Sequence, residues 1–207
     1  MRIEACELLG RYVRLEPLEL RHADGLAAAS AVEPFLYQWS PVPQGRAEAL
    51  KYIETALAWR NAGTALAFAT VRLSDRVVIG STRFFDIERW TWPPGHPLHG
   101  RRTPDVCEIG YTWLGRDAIR TPANSDAKLL MLTHAFETWR VHRVCLHTDV
   151  RNQRSRNAIE RIGGHFEGIL RAHRMAADFI PRDSARYSII AAEWPAVKQG
   201  LIAKLER

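Results

Sequence analysis

Apolar and charged residues alternate over Arg11-Tyr12-Val13-Arg14-Leu15-Glu16, which is the two-residue period of a half-exposed strand. The period then lengthens. A helix is predicted from about Arg21 to Ala31, and a second from about Arg46 to Asn61, where Leu50, Ile53 and Leu57 recur at helical spacing and Gly63 can close the end. Between them Pro34, Pro41 and Pro43 mark an irregular connection carrying Phe35, Tyr37 and Trp39. Leu66 to Leu73 and Val77 to Ile87 are two β-rich runs joined by Ser74-Asp75-Arg76, the pattern of a hairpin.

Residues 86–106 break the pattern with an irregular loop rich in Trp and Pro, holding Trp90, Trp92, His96, His99, Arg101 and Arg102. A strand follows from Cys107 to Trp113, then a helix to about Trp139, a strand from Arg143 to Asp149, and a short helix ending near Gly163-Gly164. Phe166 to Arg174 and Ala185 to Ala192 are the last strands, and 194–207 forms a terminal helix. This order predicts a single domain over 1–207 in the α/β class, one central sheet with helices on both faces.

Composition narrows the classes. With 207 residues, 46% hydrophobic and 25% charged, the chain has ordinary globular values, which exclude disordered and fibrous proteins. No apolar run approaches the roughly 20 residues of a membrane span, and Arg2, Glu4 and Glu7 make the first ten residues unlike a signal peptide, so a cytoplasmic protein without a membrane partner is expected. Cys6, Cys107 and Cys145 are few and far apart and read as reduced, core-like thiols. The net charge of +6 and pI near 9.6 suit a polyanionic partner, either nucleic acid or a phosphate-rich cofactor.

Two helix openings carry the candidate chemistry. Thr121-Pro122 suits a helix start, with Asn124 and Ser125 as further caps, and Leu129, Leu132 and Phe136 would anchor the helix to the sheet. Its fixed N-terminus would turn free N–H groups and the positive dipole end outward, with Arg116 and Arg120 just upstream. On its own the segment equally describes a capped surface helix. The second opening is Asn152-Gln153-Arg154-Ser155, where a strand enters a helix with Asn152 as cap and Ser155 in the first turn.

At this point the chain resembles the GNAT superfamily of acyl-CoA N-acyltransferases, and within it the ribosomal-protein N-terminal acetyltransferases. The resemblance is carried by Glu108-Ile109-Gly110-Tyr111, Asn124-Ser125-Asp126-Ala127-Lys128, His134-Ala135-Phe136-Glu137, Asn152 and Ser155, Gly163-Gly164 and Glu167-Gly168-Ile169-Leu170-Arg171, with Asp183, Tyr187-Ser188-Ile189 and Glu193-Trp194 following in order. It implies the GNAT fold, a mixed and mostly antiparallel sheet with one parallel pair at the cofactor cleft. It also implies acetyl-CoA as cosubstrate, held by Tyr111, Trp113, Arg116, Arg120, Thr121, Ala123, Asn124, Ser125 and Asn152. One departure is plain: Pro122 and Asn124 stand where the family's phosphate loop has small residues, and Pro122 offers no N–H.

The implied reaction is direct attack of a primary amine, on a peptide or protein N-terminus or a small molecule, within a ternary complex. Glu108 matches a position used as general base, Ser155 one that protonates the departing thiolate, and backbone N–H groups near Tyr111 to Trp113 would meet the oxyanion. The residue types also allow Glu108 to be a paired strand carboxylate and Ser155 a mere cap. His134 and His147 read as packed or hydrogen-bonded residues, and no spacing suggests a metal. Tyr37, Trp39, Arg83, Trp90 and His173 are candidates for the acceptor side; the aromatics among them could instead bury themselves in a homodimer. Asp86, Glu88, Glu167 and Asp178 could attract a cationic amine, whereas Arg83, Arg101 and Arg102 would favour an anionic group. Alternative readings are a succinyl or other acyl-CoA transferase, a non-catalytic acyl-CoA binder, and an RNA-binding module; the last lacks basic and aromatic interleaving, leaving nucleic acid as a partner only through the ribosome.

Overall fold

Among the residues that the computed structural model describes, 4–31, 33–176 and 179–206, eight strands form one sheet. They are β1 (Leu8–Leu9), β2 (Val13–Pro17), β3 (Leu66–Arg72), β4 (Val78–Glu88), β5 (Val106–Leu114), β6 (Arg143–Asp149), β7 (His165–Met175) and β8 (Pro181–Ile190). The spatial order is β1-β2-β3-β4-β5-β6-β8-β7, and every neighbouring pair is antiparallel except β5 with β6. Five helices cover it: α1 (Ala23–Ser30), α2 (Gly45–Ala62), α3 (Ala123–Thr133), α4 (Gln153–Arg161) and α5 (Trp194–Leu205).

The alternation in β3 shows why helices sit on both faces. Leu66 and Phe68 join a core with Met131 and Leu132 of α3 and Leu201 of α5, while Ala67, Ala69 and Val71 join a second core with Leu26 of α1 and Ile53 of α2. Both sides of the strand are therefore apolar. Gly63, at φ 74, ends α2 in the left-handed conformation with its N–H on the Arg60 and Trp59 carbonyls. Beyond α3 the chain widens into a π-turn over His134–Trp139 before Arg140 reverses it at φ 55.

Most predicted elements stand within a few residues of their expected limits. Two differ for tertiary reasons. β8 starts at Pro181 rather than Ala185, because it lies between β6 and β7 and pairs on both sides: Ser184 with Asp149, Arg182 with Arg174, and Pro181 with Met175. Proline is tolerated there because it opens the strand. β1, two residues long and paired only with β2, has too little pattern to be read from sequence.

The irregular segment after β4 packs on its own anchor. Asp105, wholly buried, accepts from the Trp90 amide at 2.8 Å and from Trp92 Nε1 at 3.0 Å, and Arg101 Nη1 reaches it at 3.2 Å. Trp90 stacks on His142 at 5.2 Å and Trp92 on His96 at 4.4 Å between ring centroids. Asp105 adjoins the first residue of β5, so this cluster sits at the N-terminal end of the parallel pair.

Candidate active site

The site begins with a parting of strands. β5 and β6 pair through Val106 with Arg143, Cys107 with Val144 and Glu108 with Cys145, and beyond that point they have no ladder contact although both continue. The cause lies on the other edge of β5. Arg83 pairs with Gly110 and Ser81 with Trp113, so Tyr111 and Thr112 stand opposite Thr82 alone, a β-bulge that turns β5 away. Tyr111 takes φ 50, a left-handed conformation costing about 1–2 kcal/mol for a residue with a side chain. Gly110 beside it leaves room for the Phe85 ring, which a Cβ there would approach to 2.7 Å at Cε1 and displace.

The opened gap is a cleft of about 660 Å³. One wall is the start of α3. Pro122, at φ −61, is the N-cap of the helix: its carbonyl accepts from the Asp126 amide at 2.9 Å, and its missing N–H removes nothing from the first turn. Thr121 Oγ1 accepts from the Ala123 amide at 3.3 Å, leaving the Asn124 and Ser125 amides as the helix's outward donors. Arg120 supplies the left-handed turn at φ 63 that a glycine would more often occupy. The opposite wall is α4, where Asn152 Oδ1 accepts from the Ser155 amide at 3.0 Å and fixes Ser155 at the cleft. Arg120 and Arg154 add exposed positive charge at these two helix openings, and Arg161, also exposed, lines the cleft from the last turn of α4.

Acetyl-CoA fits these residues. The helix amides and the arginines suit a diphosphate, and the β5 edge released by the bulge leaves main-chain groups for the amides of a pantetheine arm. Lys128, one turn into α3, is a further residue of this wall. It is buried, donates to Thr112 Oγ1 at 2.5 Å and Thr82 Oγ1 at 3.2 Å, and burial brings its amine down to about 7. It lines the cleft with no carboxylate beside it among the described residues.

At the inner end of the cleft stands Glu108, 4% exposed. His147 Nδ1 of β6 lies 2.7 Å from its Oε2, a close contact off the line of a hydrogen bond, and Arg174 Nη2 of β7 lies 3.6 Å from the same oxygen. Arg174 also holds Asp86 at 2.5 Å. The ring of His173 sits 5.0 Å from that of His147, and burial followed by the charge of Arg174 lowers its proton affinity. His147 was not legible as a site residue. Its place on an apolar strand suggests packing, and only the pairing of β6 with β5 brings it beside Glu108. Arg174 and Arg182, which also line the cleft, were missed for the same reason.

The other candidate residues separate into groups. Tyr37, Trp39, Tyr111, Trp113, Thr121, Asn124, Ser125, Asn152 and Ser155 line the cleft with Glu108 and Arg120. Tyr37 donates to the Leu114 carbonyl at 3.1 Å, and Trp39 lies under Arg151 at 4.3 Å. Ala123 is buried behind the first turn of α3, and Arg116 is turned away into an ion pair with Glu33. Trp90 does not reach the cleft, being held with Asp105 and His142 at the far end of β5. Arg101 is held there too, against the Trp139 carbonyl at 2.7 Å. Arg83 is 1% exposed and boxed by aromatic rings, 4.2 Å from Tyr111, 4.7 Å from Tyr52 and 5.2 Å from Trp59, which places it behind Tyr111 rather than in the cleft. Glu167 of β7 pairs with Arg143 of β6 and Arg186 of β8, and Asp178 lies outside the described residues. No group of three or more His, Cys, Asp or Glu among the described residues is placed to hold a metal ion, and none of their helices is long and apolar enough to cross a membrane.

The family model described as "Acetyltransferase (GNAT) domain" matches residues 13–165. Among solved structures, a GCN5-related N-acetyltransferase from Brucella melitensis superposes with a TM-score of 0.83 at 32% identity over 98% of this chain and 86% of that one. A protein from T. thermophilus assigned to the acetyltransferases gives 0.79 at 32% identity, over 99% of this chain and 100% of that one. Mycobacterium smegmatis RimJ in complex with CoA-disulfide shares the fold, with a TM-score of 0.77 at 20% identity over 97% and 93% of the two chains. A search of curated proteins found no match.

Proposed function

The chain belongs to the GNAT acetyltransferase family, whose acyl donor is acetyl-CoA, and from that premise we propose that it forms a single acyltransferase domain passing the acetyl group to a primary amine. The acceptor is a peptide or protein N-terminus or a small-molecule amine, and it attacks directly within a ternary complex. The observation that carries this reading is the continuity of the cleft, which joins the openings of α3 and α4 to Glu108, the one buried carboxylate on its wall among the described residues.

The donor supplies a thioester carbonyl activated for attack; the rest is done by side chains and main chain. The Asn124 and Ser125 amides with Arg120 hold the diphosphate. An ammonium ion has no lone pair to attack with, so Glu108, steadied by His147 and Arg174, accepts the proton directly or through water. Main-chain N–H groups of the bulge at Tyr111 and Thr112 are preset by the strained backbone and stabilise charge on the carbonyl oxygen. Ser155, anchored by the Asn152 cap, donates to the departing thiolate.

The test is thiol release from acetyl-CoA with a panel of primary amines, with the acylated products weighed by mass spectrometry. Turnover with at least one amine is expected. Ser155→Ala should lower kcat by about 10²-fold or more while changing the donor's KM little, as for a group acting in the chemical step. A melting shift with acetyl-CoA but no thiol from any amine would leave a binding protein instead, and unchanged kcat in the variant would remove Ser155 from the mechanism.

A further inference from the structure

The charge on the cleft wall does not balance. Glu108 is the single carboxylate among the described residues lining it, against Arg120, Arg154, Arg161, Lys128, Arg174 and Arg182. Three of these, Arg120 before α3, Arg154 in the first turn of α4 and Arg161 in its last, are exposed at the cleft, where a coenzyme's phosphates would neutralise them. Lys128 is satisfied by two threonine hydroxyls and has its charge suppressed by burial. Arg174 is neutralised by Asp86 and Glu108. Arg182 is left over.

Its position makes the surplus costly. Arg182 of β8 stands opposite Arg174 of β7 in the antiparallel register, and like charges so placed repel. It is half-buried, its Nε is shielded from solvent without a hydrogen-bond partner, and no carboxylate among the described residues forms an ion pair with it. Of the two carboxylates whose fields reach Arg182, Asp149 is itself taken by Arg151, from which it accepts through both oxygens at 2.7 and 2.9 Å, and Glu108 is shared with His147 and Arg174. A guanidinium presents paired N–H groups that match a carboxylate.

We infer that Arg182 is the anchor for a carboxylate carried by one of the two substrates, at the acceptor end of the cleft where Glu108 and His147 also stand. Two sources share that chemistry: an acceptor whose amine lies close to a carboxylate, as in an amino acid, and a dicarboxylic acyl group on the donor. The inference rests on the acyltransferase reading above and narrows its substrate class. The positive wall disfavours a simple cationic amine, because Glu108, already shared with Arg174, is the single lining carboxylate among the described residues that could offset the incoming ammonium ion.

The experiment compares matched pairs on the intact protein. Phenylalanine is set against phenethylamine with acetyl-CoA, and succinyl-CoA against acetyl-CoA with one fixed amine. The ratio of kcat/KM within each pair is measured for the native protein, Arg182→Gln and Arg182→Lys. We expect the carboxylate-bearing member to be preferred in one pair, that preference to fall about tenfold to a hundredfold in Arg182→Gln, and Arg182→Lys to lie between. The pair that responds identifies the source. Equal use of both members in both pairs, or a preference that Arg182→Gln leaves intact, overturns the inference while the transferase reading stands. If no pair turns over, the amine panel above decides the enzymatic reading, and the melting shift given by phenylalanine and by succinyl-CoA decides the inference, supporting it where the shift is lost in Arg182→Gln and rejecting it where no such difference exists.

Discussion

At the scale of single residues, Lys128 is the least expected group in the structure. Sequence places it on a helix, where lysine usually reaches water, yet its amine lies between two strands under the hydroxyls of Thr82 and Thr112. The unfolded chain keeps this proton up to about 10.5, whereas the folded chain releases it near 7. Folding is therefore penalised in full below about pH 7, and the penalty fades as the pH climbs towards 10.5. Thr82 and Thr112 are also 2.8 Å from each other, so they stay bonded without the amine. Lys128→Met should accordingly raise stability at pH 6 by about 1–3 kcal/mol, and the gain should shrink at pH 9–10. Denaturant melts at both pH values check this, and a loss of stability at pH 6 would show that the amine is held by more than those two bonds.

At the scale of elements, the capped helices were the most readable features and their surroundings the least. Asn152 could be assigned as the cap of α4 because its side chain and the amide three residues on are fixed by local geometry. Asn152→Ala should cost about 1 kcal/mol, a drop of roughly 2–4 °C in Tm for a chain of this size, and should also lower kcat by loosening Ser155. Calorimetry with steady-state kinetics reads both, and an unchanged Tm would refute the capping role. For α3, proline at the helix flank could be read from sequence, but the left-handed Arg120 before it could not. Nothing in that residue type favours positive φ. The aromatic loop after β4 is the reverse case: its composition suits a pocket, while Asp105 and His142 hold it at the end of β5 away from the cleft.

At the scale of the whole molecule, the sheet and the charge act together. The net charge of +6 and the arginines at the cleft mouth predict that coenzyme affinity weakens as salt rises, because exposed charges are screened over about 10 Å at 0.1 M salt. Acetyl-CoA at a hundredfold excess over its Kd should add about 2.7 kcal/mol to stability. Melting curves at 50 and 500 mM salt check both, and a ligand shift insensitive to salt would argue against a phosphate grip built on Arg120, Arg154 and Arg161. By itself the sequence determined the order of most strands and helices, the caps Gly63 and Asn152, and the matching of Glu108 and Ser155 to a family, since periodicity and capping depend on residues a few positions apart. Tertiary structure alone decided that β5 and β6 part after three paired positions, that His147, Arg174 and Arg182 gather around Glu108, and that Arg116, Arg101 and Trp90 turn elsewhere. Those outcomes depend on which strands become neighbours and where a bulge bends one of them, through contacts between positions tens of residues apart that no local pattern encodes.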